Sequence, residues 1–465
     1  MKRILIYVAY RVRDSASMHV LGELLKRRGH SVAYASPMNA NFLVRTWKPD
    51  LVFLTNPDTV DGYITGGLIG PDHGPAVVIF PQEGMNFAEI DIRRWYDRFK
   101  DPAKAALIDK IFFWNRIEYD WVLENTALTR DQLGVAGGMR LDLVRYSNDQ
   151  RKKNEPARIG FIGRFTHLNR YDGTPLGLKL VTHDDPGDLN LVFQYFESQY
   201  MTLACYGEVI RRLMEETDFS VSLRGHHEET TTGPIYQALK RRYGDRMEAD
   251  HSESIYHWAL GMDAIVTPNS STLSEIYMAK TPAFNVDALT GAAETIQTGH
   301  LSESNEPMLL DCYGEDTLPT SYDQLLAGIK NCIANPPELG RNDAAEAFLA
   351  KGYSWPFKRS AIGIIATGID DCLRTGRTAD RRQRGVRAPK LAADLYYFRN
   401  IRRDPDKSLS GMTDTFFNPL LHRAPPYVKD IADNIEKEMA DAGGTLPRDN
   451  HPGGSADTAA FRIAG

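Results

Sequence analysis

Short runs with no polar interruption recur along this chain, and they restrict its fold more than any other feature. ILIYVA after Arg3, LVFL from Leu51, VVIF from Val77, IFFW from Ile111 and AIVT from Ala264 each lack the polar alternation of a strand with one wet face. A strand apolar on every residue has to be covered on both sides, and this is the condition of a parallel sheet sandwiched between helices. Helical patterns fill the intervals: HVLGELLKRRGH stops at Gly29, and another helix is expected over residues 115–128. Strand and helix in alternation give a doubly wound α/β fold.

At 465 residues, with 42% hydrophobic and 25% charged side chains, the chain has room for two such domains and extensions. The first, Rossmann-like, is expected over 1–147 and would carry the acceptor side. The segment 148–157, part of SNDQRKKNEPA, is charged and strand-poor and reads as a linker. ARIGFIGRF then restarts the strand pattern, and a second Rossmann-like domain follows over 158–373, facing the first across a cleft. Residues 374–443 read as a basic, aromatic helical extension. Residues 444–465, rich in Gly, Pro, Asp and Ala, read as a disordered tail. No tandem repeat is visible.

Charge and cysteine usage exclude several functions. A net charge of -6 gives no basic footprint for nucleic acid. The four cysteines, Cys205, Cys312, Cys332 and Cys372, stand apart, so neither a zinc knuckle nor a disulfide framework is expected, and a reducing cytoplasm fits. The apolar run near the N-terminus, about seven residues, is too short for a signal peptide or a membrane span.

The chemistry concentrates between Val221 and Asp287. VSL runs into Arg224, His226, His227 and Glu229, and AIVT runs into Asn269, Ser270, Ser271 and Thr272. Ligands of open parallel sheets sit at the carboxyl ends of strands, beside helix N-termini whose N–H groups attract anions. Ser271 or Thr272 can cap the next helix, with Ser274 and Glu275 in its first turn. Together the clusters read as a phosphate-binding corner for a nucleotide. Taken singly, the first is also compatible with a salt-bridged strand end and the second with a plain helix cap. Zinc is a rival use of His226, His227 and Glu229, but adjacent histidines in an extended segment face opposite ways. Gly160 and Gly163 make only a partial dinucleotide fingerprint, without its third glycine.

Residues 224–229, RGHHEE, resemble the R-x-H-P-x-E motif of two-domain GT-B glycosyltransferases that use cytidine-nucleotide donors, with His227 in place of proline. NSST (residues 269–272) resembles their paired-serine motif. In sialyltransferase-like and Kdo-transferase-like families the histidine and serines hold the donor phosphate. GGMRLDLV (residues 137–144) is similar to the G-N-P-R-x-D-x-L turn of surface-carbohydrate biosynthesis proteins and of teichoic-acid-type glycerophosphotransferases, with Met139 in place of proline. STLSEIYMAKTP (residues 271–282) resembles S-x-x-x-E-A-x-x-x-G-K-P, and Glu275 stands where the family's glutamate holds the nucleotide ribose; Ile276 and Lys280 depart from the pattern. The likeness spans about residues 1–370 in layout. It implies a GT-B glycosyltransferase moving a sugar from a nucleotide donor, CMP-linked by first expectation, to a surface polysaccharide or lipid-linked glycan acceptor.

Glycosyl transfer needs a base or nucleophile near the acceptor oxygen and donors for the departing phosphate. Glu83, in PQEG at a strand end, and Asp14, expected in the loop after the first strand, are the catalytic candidates. Both also suit the plain role of a loop acid capping the next helix. No D-x-D motif stands at a strand end, so metal-independent transfer is expected, with no cofactor beyond the nucleotide-sugar co-substrate. Arg374 to Lys390 carries seven basic residues and one acid, and Tyr396, Tyr397 and Phe398 follow. Residues 374–403 therefore suit either contact with anionic lipid at the inner membrane face or an exposed linker before a packed helix. Three other functions remain open: a nucleotide-sugar 2-epimerase or a UDP-sugar transferase of the same architecture, and a non-catalytic GT-B-like binding protein.

Overall fold

The computed structural model describes residues 1–36, 39–70, 74–82, 89–147, 153–166, 186–226, 233–250, 254–268, 272–290, 317–336, 343–354, 359–375 and 424–441, together with residues 151, 168, 169, 229, 252 and 270. Glu83, His227, Asn269, Ser271 and the stretch 376–403 lie outside the described residues.

Two all-parallel sheets organise the chain. The first is ordered β2-β1-β3-β4-β5-β6, built from β1 (Arg3–Tyr7), β2 (Ser31–Ala35), β3 (Leu51–Leu54), β4 (Ala76–Ile79), β5 (Lys110–Phe113) and β6 (Leu133–Val135). The second is ordered β11-β10-β7-β8-β9, from β7 (Arg158–Ile162), β8 (Ser220–Arg224), β9 (Met247–Asp250), β10 (Ala264–Thr267) and β11 (Ala283–Asn285). The architecture is thus the expected pair of doubly wound α/β domains. In each sheet the winding reverses beside the first strand, between β1 and β3 and between β7 and β10. Such reversals open a crevice at the strands' carboxyl ends.

The uninterrupted apolar runs have the expected cause. Ile4 and Ile6 of β1 enter one core while Leu5 and Tyr7 enter the other, and Leu51 and Phe53 of β3 part from Val52 and Leu54 in the same way. Successive residues of a strand point to opposite faces, so a sheet covered on both sides has no place for a polar residue. Gly160 of β7 has a packing role. A Cβ there would lie 2.7 Å from the Trp258 ring, so the helix Ile255–Leu260 approaches the sheet only because that side chain is missing.

The chain also returns to its first lobe. Ile362, Ile365 and Ile369 of the helix Ala361–Thr375, and Val428, Ile431 and Ile435 of the terminal helix Val428–Asp441, share a core with Ile4 of β1 and with Leu21 and Leu24 of α1 (Arg11–Arg27). Arg27 is paired with Asp433 and Glu436, and Arg28 Nη1 with Asp370 Oδ2 at 2.6 Å. A boundary at 373, drawn from composition, therefore does not mark the change of packing partner. Residues 361–375 belong by contact to the first sheet, because their apolar stripe completes a face that α1 alone leaves open.

One carboxylate fastens this return. Asp142, in the seven-residue helix Met139–Arg145, accepts from the Ile362 backbone N–H and the Ser360 hydroxyl, each at 2.7 Å, at the start of the helix Ala361–Thr375. It does from a distance what an N-cap does locally. Burial pushes the Asp142 carboxyl up to about 7, against these bonds. Glu438 of the terminal helix accepts from the Ser360 backbone N–H at 2.8 Å and pairs with Arg145 at 2.9 Å. Among the described residues no helix is long and apolar enough to cross a membrane.

Candidate functional site

The second sheet's crevice opens after β7 and β10, and β8 flanks it on the β7 side. The β7 loop stays tight because Gly163 donates its backbone N–H to the Arg224 carbonyl at 2.7 Å. A Cβ at Gly163 would lie 2.8 Å from the Tyr236 hydroxyl, so this glycine serves a close approach of chains.

Glu229 holds the loops of β7 and β8 together. Fully buried, it accepts from the backbone N–H of Phe165 at 2.7 Å and of His226 at 3.0 Å through Oε1, and from the Tyr236 hydroxyl and Asn169 Nδ2 through Oε2. Burial pushes its carboxyl up, and these four donors pull it back. The sequence suggested that Glu229 contacts the donor; this is corrected, because both of its oxygens are committed to protein donors.

Arg224 needs the same correction. Only 4% exposed, it donates from Nη1 to Asp250 Oδ1 at 2.8 Å and to Ser252 Oγ at 2.7 Å, and from Nη2 to the Ser252 carbonyl at 2.7 Å. Its guanidinium also lies 5.7 Å from the Trp258 ring centroid. The salt-bridged strand end, the plainer of the two readings, is what the fold contains. His226 stays half-buried at the crevice edge.

After β10 two of the three expected hydroxyls, those of Ser270 and Thr272, fall within the described residues. Ser270 Oγ accepts from the Thr272 hydroxyl at 2.9 Å and the Thr272 backbone N–H at 3.3 Å, and the Ser270 carbonyl accepts from Leu273 N–H at 3.0 Å. Thr272 occupies the cap position of the helix Leu273–Met278, yet its side chain makes no capping bond. Glu275, in that helix's first turn, is 1% exposed, and among the described residues neither carboxylate oxygen makes a hydrogen bond. Burial pushes its carboxyl up, while Arg140 and, more weakly, Arg224 pull it down.

Opposite Glu275 the first lobe presents residues whose contacts the sequence did not reveal. Arg140 Nε is 3.3 Å from Glu275 Oε1 without a hydrogen bond, and its guanidinium lies 5.2 Å from the centroid of Trp114. Trp114 donates from Nε1 to the Pro81 carbonyl at 2.6 Å and packs against Tyr353, with ring centroids 5.2 Å apart. The advance signal was the resemblance of GGMRLDLV to the G-N-P-R-x-D-x-L turn, in which Arg140 and Asp142 are the two charges of an otherwise apolar segment. Two residues apart on a helix means about 200° of rotation. One charge can therefore reach Glu275 of the second lobe while the other holds the start of the helix Ala361–Thr375.

Asp14 is the remaining correction. It lies within α1 and not in a loop, is fully buried, accepts from the Tyr10 backbone N–H at 3.1 Å, and pairs with Arg13 at 2.6 Å. An acid in a helix's first turn stabilises the exposed N–H groups there, and Asp14 is used in this way. Among the described residues no group of three or more His, Cys, Asp or Glu side chains gathers as a metal site would need.

No family model matches the chain, and no curated protein does. Solved structures are similar in fold. Staphylococcus aureus MnaA in its co-structure with UDP is 13% identical at a TM-score of 0.43, over 80% of this chain and 97% of that one. Methanocaldococcus jannaschii UDP-GlcNAc 2-epimerase, in complex with UDP-GlcNAc and UDP, is 10% identical at 0.44, over 80% and 100%. The wall teichoic acid polymerase TagF is 10% identical at 0.44, over 80% and 89%.

Proposed function

We propose that the chain is a nucleotide-sugar-dependent glycosyltransferase whose donor nucleotide sits in the crevice after β7 and β10. One observation carries this reading: Glu275, a buried carboxylate at the crevice of the second sheet, makes no hydrogen bond through either oxygen among the described residues. Buried carboxylates are ordinarily met by two or three donors. A ribose diol supplies two O–H groups at adjacent carbons, and Ser270 and Thr272 lie on the loop just before, with hydroxyls for a phosphate. The motif resemblance assigns the same position the same role and makes a cytidine nucleotide the first expectation. The acceptor, a surface or lipid-linked glycan, would meet Glu83 of the first lobe as base or nucleophile. With Arg224 committed to Asp250 and Ser252, the departing phosphate relies on hydroxyl and backbone donors and on His226.

A thermal-shift panel of CMP, CDP, UDP, GDP and ADP tests the binding half, since a ligand held only by the folded chain raises its melting temperature. At least one nucleotide should stabilise the parent, and Glu275→Gln should weaken it by roughly tenfold or more, the loss of a charge-assisted bond. Glu83→Gln should abolish turnover and leave binding intact. Donor-only incubation followed by product NMR identifies the reaction: a sugar epimerised without acceptor makes the chain a 2-epimerase. A flat panel removes the nucleotide reading.

A further inference from the structure

Building on the nucleotide reading, we infer that Arg140 is a positioning residue: from the first lobe it keeps Glu275 of the second ionised and aimed, so that the carboxylate can accept both hydroxyls of a ribose. Three observations support this. The side chains meet across the two sheets' territories, with Nε 3.3 Å from Oε1, and are 13% and 1% exposed. Among the described residues Arg140 Nε and both Glu275 oxygens make no hydrogen bond, while the rest of the guanidinium meets Tyr353 and Trp114. Arg140 is also braced from behind, its guanidinium lying over Trp114, whose ring packs on Tyr353.

The Gly137-Gly138 turn makes this approach possible. A Cβ on Gly138 would lie 2.6 Å from the Tyr353 ring, so only glycine lets the chain pass close enough for the next helix to start beside it. Among the described residues the charges facing Glu275 are few. Arg140 comes from the first lobe, Arg224 acts from β8, and the Tyr353 phenol faces it from the helix Asp343–Tyr353. Arg224 is held by Asp250 and Ser252 and acts on Glu275 more weakly, so Arg140 is the cation whose removal takes away the larger part of its counter-charge. A buried ion pair whose oxygens lack donors is a costly arrangement for stability alone, and a ligand bringing two O–H groups relieves it.

The test has two arms. The first needs no ligand: thermal melts of the full chain, Arg140→Met and Arg140→Met/Glu275→Gln between pH 5.5 and 9. Burial holds the Glu275 carboxyl above its ordinary value and Arg140 opposes this, so removing Arg140 raises the folded pKa further above the unfolded one, and stability is lost as pH rises through it. Arg140→Met should fall several degrees relative to the double variant as pH rises; parallel profiles overturn the inference. The second arm titrates UDP and CMP, each beside its 2′,3′-dideoxy counterpart. Arg140→Met should lose roughly tenfold in affinity for the ribose form at the acid end of the range and recover as pH rises, with the dideoxy form unchanged and Arg140→Lys close to the parent. Equal losses on both sugars overturn it. Should the parent bind neither nucleotide, the nucleotide reading falls, while the melts still decide whether Arg140 holds Glu275 ionised.

Discussion

Of the acids singled out by sequence, Asp14 and Glu229 maintain the fold, and Glu275 alone among the described ones has unspent hydrogen-bonding capacity. The distinction shows why spacing identified the region but not each role: a motif fixes which residues stand at a strand end, whereas a residue's role depends on who reaches it from elsewhere. Glu229 is met by Phe165, Asn169 and Tyr236, and Arg224 by Asp250 and Ser252, all distant enough in sequence that no local pattern includes them. Substitution separates the classes. Glu229→Ala strands buried donors from several elements and should cost about 3–5 kcal/mol of folding free energy. Asp14→Ala loses a helix-terminal bond and should cost about 1–2 kcal/mol, with nucleotide affinity unchanged. Urea titrations measure both; a Glu229→Ala protein as stable as the parent removes its anchoring role.

At the scale of elements, the parallel strands were legible because their burial on two faces leaves an unbroken apolar run, as Leu51–Leu54 and Ala76–Ile79 show. The helices Tyr322–Ala334, Asp343–Tyr353 and Ala361–Thr375 were legible as helices from their apolar periodicity. Their destination was not, since an amphipathic stripe declares that it is covered without naming the cover. The three-residue β6 was not anticipated, being too short for periodicity to register. The Asp142 tether is the element-scale device that a pH experiment reaches. Its carboxyl is pushed up to about 7 by burial, above an unfolded value of about 3.9. Its contribution is therefore complete below about pH 4 and is lost as pH rises through about 7. Relative to Asp142→Asn, the parent's melting temperature should decline between pH 4 and 8. A constant difference between the two curves would show that the helix start is held without regard to that proton.

For the whole molecule, the last described helix returns to α1, so the chain closes on itself. A version ending near residue 373, the obvious truncation for testing whether 374–403 contacts lipid, would also strip Ile431 and Ile435 from the first core; neutralising basic residues within the full chain avoids this. The lobes meet where Arg140 faces Glu275, beside the crevice at which a nucleotide is proposed to bind. Hydrogen exchange of the full chain with and without a saturating nucleotide reports on that location directly. Slowed exchange is expected in residues 163–169 and 270–278 of the second lobe and in residues 137–142 of the first. Protection confined to the carboxyl ends of β1 and β3, or none at all at saturation, would contradict it.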